Sequence, residues 1–221
     1  MNKNYLLPGK PLRKGVDLIA DKKSGALIVI GNSNKLEKIS SGGINLKNCI
    51  YSPEMLSELA KMDGAIIVDE SVSTILKANV HLNPSDNLQT SETGTRHRTA
   101  ERVSIETSLK VIAVSEESSA IKVFHDSKVN ELEEPSMILG RVSESLQSVD
   151  RMRRRFDEVL LELGGLEIED TITNQQVLTV IQRGELLTRL ANQVKNEAKN
   201  LGEEAGICLL YTSPSPRDVE E

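Results

Sequence analysis

Cysteine and aromatic residues are scarce in this sequence. Its 221 residues include two Cys, no Trp, three Tyr and two Phe. Cys49 and Cys208 are too few and too far apart for a disulfide framework or a CxxC metal site. No apolar run approaches the roughly 18 residues of a membrane span, and Met1–Gly15 lacks the apolar core of a signal peptide. These absences predict a cytoplasmic protein with an aliphatic core and no membrane segment.

Positive charge is slightly in deficit. The chain carries 27 Lys and Arg against 33 Asp and Glu, a formal net charge of −6, so it has no global attraction to nucleic acid. Arg151–Phe156 is locally basic, but Asp150, Asp157 and Glu158 flank it. We therefore interpret this cluster as a solvated, ion-paired helix face rather than a nucleic-acid patch.

Strand and helix signals alternate in the first part of the chain. Gly25–Gly31 is short, apolar and β-branched, which is typical of a strand covered on both faces. Ser52–Gly64 predicts a helix, with Ser52 as its N-cap and Gly64 as its end. This interleaving predicts an α/β domain. The further predicted strands are Ala65–Val68, Thr74–Leu82 (with Leu76, Ala78, Val80 and Leu82 on one side), Val111–Val114 and Ile121–Phe124.

Helical periodicity replaces this pattern after Pro135. Apolar residues spaced by threes and fours run from Leu139 to Leu163 and predict one long helix, which we expect Gly164 to end. A second helix is predicted from Val177 to Val194. The segment 206–221 has neither pattern and resembles translated sequencing-adapter read-through, so it is excluded from the fold prediction.

Residues Ser91–Ser104, SETGTRHRTAERVS, concentrate three Arg and one His behind a glycine. Gly94 permits a tight turn, and a helix is predicted from about Arg98. Backbone N–H groups at a helix start attract anions, and arginine side chains grip phosphate oxygens in a bidentate fork. The alternative is a basic surface turn balanced by Glu92 and Glu101. Neither GxxxxGK[ST] nor GxGxxG occurs in the sequence.

The segment KMDGA places Asp63 and Gly64 between a predicted helix and a predicted strand. Asp-Gly is common in ordinary turns, so a purely structural role is one interpretation. The other is a ligand site, because Gly64 lets a ligand approach the backbone. A carboxylate near a triphosphate is a poor base for a sugar hydroxyl, but it can hold a divalent cation that acidifies the hydroxyl.

Four segments resemble the diadenylate cyclase family in order and spacing, most closely its DNA-integrity scanning branch: KMDGAIIVDE, ILKANVHLNPS, ETGTRHRTAERVS and VIAVSEE. The resemblance covers about residues 5–135. It implies a cyclase domain over 1–137, with a central mixed sheet flanked by helices, then a partial all-α linker over 138–205 and the non-native tail over 206–221. The implied activity is condensation of two ATP into cyclic di-AMP with release of two pyrophosphates.

The resemblance also assigns site residues by position. Asp63 would be catalytic and hold Mg²⁺ or Mn²⁺, while Gly64, Ala65 and Leu82 would line the nucleotide site. Ser115 would approach the triphosphate end, although EESSA follows it where many relatives carry basic residues. His81 and His125 are interpreted as structural. The phosphate-binding residues would be Thr95, Arg96, His97, Arg98 and Thr99.

The implied partners are ATP and further copies of the chain. The resemblance implies face-to-face dimers that linker helices join into octamers, and branched-DNA binding through a C-terminal domain that this sequence is expected to lack. Two alternatives remain at this stage. One is a phosphate-binding hydrolase, which also uses an Asp and a basic loop, and the other is a catalytically silent oligomeric scaffold for DNA scanning.

Overall fold

A computed structural model describes residues 4–168 and 171–199. Its contacts divide the chain between Glu133 and Glu134 into two units, which are described separately. The predicted tail 206–221 lies outside the described residues.

The first unit interleaves helices and strands. A 3₁₀ turn, Asn4–Leu6, precedes them. Its helices are α1 (Pro11–Asp21), α2 (Asn34–Ile39), α3 (Pro53–Leu59) and α4 (Thr95–Thr107). Its strands are β1 (Ala26–Ile30), β2 (Ser40–Ser41), β3 (Ile44–Ile50), β4 (Ala65–Val68), β5 (Thr74–Leu82), β6 (Lys110–Val114), β7 (Ile121–His125) and β8 (Lys128–Leu132). The second unit contains α5 (Pro135–Ile168) and α6 (Asn174–Ala198).

The strands form one mixed sheet in the order β2-β5-β4-β1-β6-β7-β8, and β3 also pairs with β5. Strands β1 and β4 are parallel, whereas the other pairs are antiparallel. Helices α1 and α3 contribute to the core on one face, and α4 contributes on the other. The predicted α/β class with a central mixed sheet flanked by helices is confirmed.

Strand β1 is buried along its whole length. Ile28 packs in the cluster that contains Leu12 and Leu56, while Val29 packs in the opposite cluster with Ala100 and Val103. Because both faces are covered, the strand is continuously apolar rather than alternating, as the sequence predicts.

Helix α3 begins as predicted but ends early. The Oγ of Ser52 accepts a hydrogen bond from the Met55 N–H at 3.1 Å, which caps the first turn. The helix ends at Leu59 rather than at Gly64, because the Lys61 and Met62 amides bond three residues back and tighten the chain into a turn. Gly64 has a different role. A Cβ there would lie 2.6–2.7 Å from backbone atoms of Asn79 in β5, so only glycine fits between the strands without a shift.

The predicted alternation along β5 is wrong at Ala78. Leu76, Val80 and Leu82 do share one face, but Ala78 packs with Ile75 on the other. The register between β4 and β5 shifts twice, and Asn79 has a positive φ of 55°. These irregularities break strict alternation because extra residues of β5 oppose β4.

The long helix after Pro135 is confirmed, but the predicted break at Gly164 is wrong. Helix α5 continues through Gly164 and Gly165 to Ile168. Each interior glycine costs only about 1 kcal/mol relative to Ala, and packing offsets this cost. Leu163 and Leu166 flank the glycines and line a small cavity with Val180 of α6.

The basic cluster on α5 is an exposed, ion-paired face, as predicted. Arg154 pairs with Asp150 at 3.0 Å, and the Arg153 Nε lies 3.9 Å from Asp157. Over residues 4–168 and 171–199, no helix combines the length and apolar character that a membrane crossing requires.

We predict that Gly64→Ala lowers the free energy of unfolding by about 1–3 kcal/mol, because the new methyl group must displace the β5 backbone. Gly140→Ala on α5 is the control, since a Cβ there meets nothing within 4 Å and should stabilise by about 0.5–1 kcal/mol. Urea unfolding of both variants is the measurement. Equal effects of the same sign would contradict the packing role of Gly64.

Candidate active site

Strand register brings four chain segments to one edge of the sheet. Strands β1 and β4 are parallel, so their first residues, Ala26 and Ala65, lie at the same edge. Val114 at the end of β6 pairs with Ala26, and Val80 near the end of β5 pairs with Ala65. The segments Gly25–Ala26, Asp63–Ala65, Val80–Leu82 and Val114–Ser115 are therefore neighbours, although they are distant in sequence.

Two cavities open at this edge and share Asp63, Thr95 and Arg96. The smaller, of about 240 Å³, is lined by Gly25, Ala26, Leu27, Met62, Asp63, Gly64, Ala65, Val80, His81, Leu82, Thr95, Arg96 and Thr99. The larger, of about 670 Å³, is lined by Asp63, Gly94, Thr95, Arg96, His97, Ser115, Glu116 and Glu117.

The structure brings together nine of the ten predicted site residues. Those that line one or both cavities are Asp63, Gly64, Ala65, Leu82, Thr95, Arg96, His97, Thr99 and Ser115. Arg98 is exposed and lines neither cavity. On a helix, positions 96 and 98 lie on different faces, so only one of these two arginines faces the cavities.

Asp63 has an exposed carboxylate at the junction of the cavities. Among the described residues, no side chain or amide donates a hydrogen bond to it, so both oxygens remain available to a ligand. The same residues contain no group of three or more His, Cys, Asp or Glu that could hold a metal by itself. A single carboxylate fits Mg²⁺ when substrate phosphates supply further ligands.

Arg96 lies against the backbone of Gly25. A Cβ on Gly25 would overlap the guanidinium, so glycine at the start of β1 leaves the space that Arg96 occupies. In the sequence, Gly25 is recognisable only as a strand boundary, and its contact with Arg96 is not predicted. A glycine directly before a buried strand was the available signal, but its partner depends on the fold.

Helix α4 presents its N-terminus to the larger cavity. It begins at Thr95, earlier than the predicted start near Arg98, and the Arg98 N–H already bonds to the Gly94 carbonyl at 2.9 Å. Gly94 is the N-cap and supplies no side-chain acceptor. The amides of the first turn therefore favour an anion at this end of the cavity.

Side chains of α4 hold the loop that precedes it. Glu106 accepts the Ser85 N–H at 2.9 Å, and Glu101 accepts the Ser91 N–H at 3.1 Å. The Nε of Arg102 donates to the Leu88 carbonyl at 3.0 Å. The loop and the helix N-terminus are thus fixed together.

Glu92 and Glu101 do not balance Arg96, as a simple basic turn would require. Glu92 forms an ion pair with Lys122 of β7 at 3.0 Å, and Glu101 is buried against Ser91. Within the described ranges, no ion pair involves Arg96, which leaves its guanidinium available for an anionic ligand.

His97 is half-buried beside the sheet. Its ring meets Phe124 edge-to-face with centroids 6.3 Å apart. Burial lowers the pKa of His97; the nearby cations Lys122 and Arg96 lower it further, against the opposing effect of Glu92 and Glu131. His97 is therefore predominantly neutral at neutral pH.

The other two histidines differ in their positions. His81 is exposed on the side of β5 away from Val80 and Leu82, as predicted, but it also lines the smaller cavity. His125 lies 2.9 Å from Asp126 and lines neither cavity. Met62, Glu116 and Glu117 also line the cavities, although the sequence assigned no site role to any of them.

Comparison with known proteins identifies the class and then the family. Residues 13–129 match the sequence profile described as DisA bacterial checkpoint controller nucleotide-binding, and residues 132–213 match the DisA linker region. The fold and the profile match thus define a nucleotide-binding domain of the bacterial checkpoint controller class. The chain belongs to the DisA family, as the resemblance predicts.

Two curated relatives are named DNA integrity scanning protein DisA. The protein from Acidothermus cellulolyticus is 41% identical over 97% of this chain and 58% of its own length. The one from Kineococcus radiotolerans is 43% identical over 89% of this chain and 55% of its own length. The chain therefore spans little more than half the length of these relatives. A solved structure of DacA from Staphylococcus aureus is 30% identical, with a TM-score of 0.47 over 56% of this chain and 84% of that one.

We predict that His97 makes unfolding pH-dependent. Because its pKa is lower in the folded than in the unfolded chain, the unfolded state binds more protons below about pH 6.5. Stability should therefore fall as pH is lowered from about 7 to 5.5, and His97→Gln should lose less than the parent. Urea unfolding across this range is the measurement, and an identical pH dependence in both proteins would contradict it.

Proposed function

We propose that the chain condenses two ATP molecules into cyclic di-AMP and releases two pyrophosphates. One observation carries this proposal: Asp63, Arg96 and the uncapped N-terminus of α4 line two joined cavities in a domain of the DisA nucleotide-binding family. A cation-binding carboxylate beside an anion-binding helix end is the combination that nucleotidyl transfer requires.

The two cavities suit different parts of ATP. The smaller is lined by Gly64 and by the apolar residues Ala65, Val80 and Leu82, which fit a nucleoside. The larger contains the α4 amides, Thr95, Arg96 and His97, which fit phosphates. Ser115 also lines this cavity, and we place the triphosphate end beside it. Thr99 and Arg98 are assigned to phosphate binding by resemblance alone.

Asp63 would hold the divalent cation, Mg²⁺ or Mn²⁺, together with phosphate oxygens. When bound, the cation supplies charge neutralisation and acidifies the attacking hydroxyl. The chain's own contribution is to place the Asp63 carboxylate and Arg96 in the lining of one cavity, where both can contact the same substrate.

The chemistry requires two copies of the chain. The 3′-hydroxyl oxygen of one ATP bonds to the α-phosphorus of the other, the bond to the bridging oxygen breaks, and pyrophosphate leaves while the hydroxyl loses its proton. A second transfer of the same kind, from the 3′-hydroxyl of the second nucleotide to the α-phosphorus of the first, releases the second pyrophosphate and closes the ring. One ATP per site cannot do this, so two protomers meet face to face about a two-fold axis.

We extend the proposal to octamers, a cytoplasmic location, and branched-DNA binding in the longer relatives.

Incubation with ATP and Mg²⁺ or Mn²⁺, followed by mass analysis, tests the function directly. Cyclic di-AMP with two pyrophosphates supports a cyclase, ADP or AMP with free phosphate indicates a hydrolase, and unchanged ATP indicates a silent scaffold. Light scattering on the same sample tests assembly, because an active strict monomer would contradict the two-copy mechanism.

We predict that Arg96→Ala weakens ATP binding more than Arg98→Ala does. Arg96 lines both cavities, and its loss removes charge-assisted contacts of about 1.5–3 kcal/mol, whereas Arg98 lines neither. Calorimetric titration with ATP at low ionic strength compares the variants. Equal losses would show that both arginines contact phosphate, and unchanged binding in both would place the site elsewhere.

We predict that Asp63→Asn retains ATP binding but lowers cyclic di-AMP formation by about 10²–10⁴-fold. The amide keeps the size of the side chain but loses the charge that matters as negative charge develops on the attacking oxygen. ATP affinity and product formation are measured on the same folded variant. Near-normal synthesis would remove Asp63 from the mechanism, and loss of ATP binding would make it a binding residue.

A further inference from the structure

The larger cavity has an unusual charge balance for a polyphosphate site. Its lining carries three carboxylates, from Asp63, Glu116 and Glu117, against the single guanidinium of Arg96. Lys122 lies nearby but already pairs with Glu92. With a neutral His97, the lining side chains carry a net charge of −2. The helix dipole at the α4 N-terminus contributes only about half a positive charge.

The turn between β6 and β7 holds Glu116 and Glu117 in the lining of the larger cavity. The Ser115 N–H donates to the Ala120 carbonyl at 2.9 Å, and the Ser118 N–H donates to the Ser115 Oγ at 3.2 Å. Ser119 extends the anchorage, because its Oγ donates to the Ala20 carbonyl of α1 at 3.0 Å. The backbone that carries the two carboxylates is thus tied to the sheet and to α1.

A negative cavity discriminates between the forms of a nucleoside triphosphate. Free ATP carries a charge of roughly −4, whereas its complex with a divalent cation carries roughly −2. Repulsion from fixed carboxylates therefore opposes the free form about twice as strongly. AMP, which lacks the outer two phosphates, places little charge near the carboxylates.

We propose that Glu116 and Glu117 are specificity-determining residues that make the cavity select the divalent-cation complex of a nucleoside triphosphate over the free tetra-anion. This inference rests on the proposed function for the position of the triphosphate end beside Ser115. It assigns a role to the two residues at which the sequence departs from the basic pattern of many relatives.

The test compares the parent with the double variant Glu116→Gln and Glu117→Gln. The ligands are AMP and 3′-deoxy-ATP, which lacks the attacking hydroxyl and so binds without turnover. Affinities are measured by calorimetry with excess Mg²⁺ and with EDTA, at low salt and at about 0.5 M salt. The matched control is Glu54→Gln with Glu70→Gln, two exposed carboxylates that line neither cavity.

We expect the parent to bind the Mg²⁺ complex at least about tenfold more tightly than the free nucleotide. The double variant should bind the free nucleotide about tenfold more tightly than the parent, with less than about a threefold change for the Mg²⁺ complex or for AMP. High salt should narrow the difference between parent and variant. The control should match the parent throughout.

The inference is overturned if the ratio of the affinities for the Mg²⁺ complex and the free nucleotide is the same in the double variant as in the parent. It is also overturned if the parent binds both forms equally. If the parent binds neither form, the inference and the proposed function both fail. If it shows the expected selectivity but makes no cyclic di-AMP from ATP, the cyclase proposal fails while the role of the two glutamates stands.

Discussion

The hydrogen-bond register of β1 with its two neighbours is the constraint on which the candidate site depends. Parallel pairing with β4 sets Asp63 beside Gly25, and antiparallel pairing with β6 brings Ser115 to the same edge. A slip of one residue would turn the apolar side chains of Ile28 and Val29 to the opposite faces. Because both faces are packed, the core fixes the register, and the site inherits its geometry from the core.

Local signals predict most elements of the sheet domain. A continuous apolar run is enough to identify β1 and β4, and Ser52 followed by proline is enough to start α3. The incorrect predictions, for the alternation along β5 and for the end of α5, have causes that lie outside the local sequence. The irregular pairing of β5 leaves Ala78 on the wrong side of an alternating pattern, and Asn79 carries the positive φ. The packing that carries α5 through Gly164 comes from a different helix.

The candidate site likewise combines residues that the sequence predicts with residues that only the fold brings in. Asp63, Arg96 and His97 belong to short motifs, so sequence alone could nominate them. Gly25 belongs to no motif, and Glu116 and Glu117 lie in a quoted segment that assigns them no role; all three join the site because β1 and β6 are paired. Arg98 shows the opposite case, since a motif nominates it but helical geometry separates it from Arg96.

The two halves of the site are built with different rigidity. Glu101, Arg102 and Glu106 hold the loop before α4, so the helix end that we propose to bind the phosphates is preorganised. Asp63 is exposed and receives no hydrogen bond from the described residues; its backbone is placed by the contact of Gly64 with Asn79. Preorganised donors stabilise developing phosphate charge without reorganisation, whereas a carboxylate with free oxygens can take up a cation that arrives with its substrate. The arrangement therefore suits a site in which the α4 N-terminus is already ordered before the phosphates bind. The cation site at Asp63 would be completed only when the substrate brings the cation.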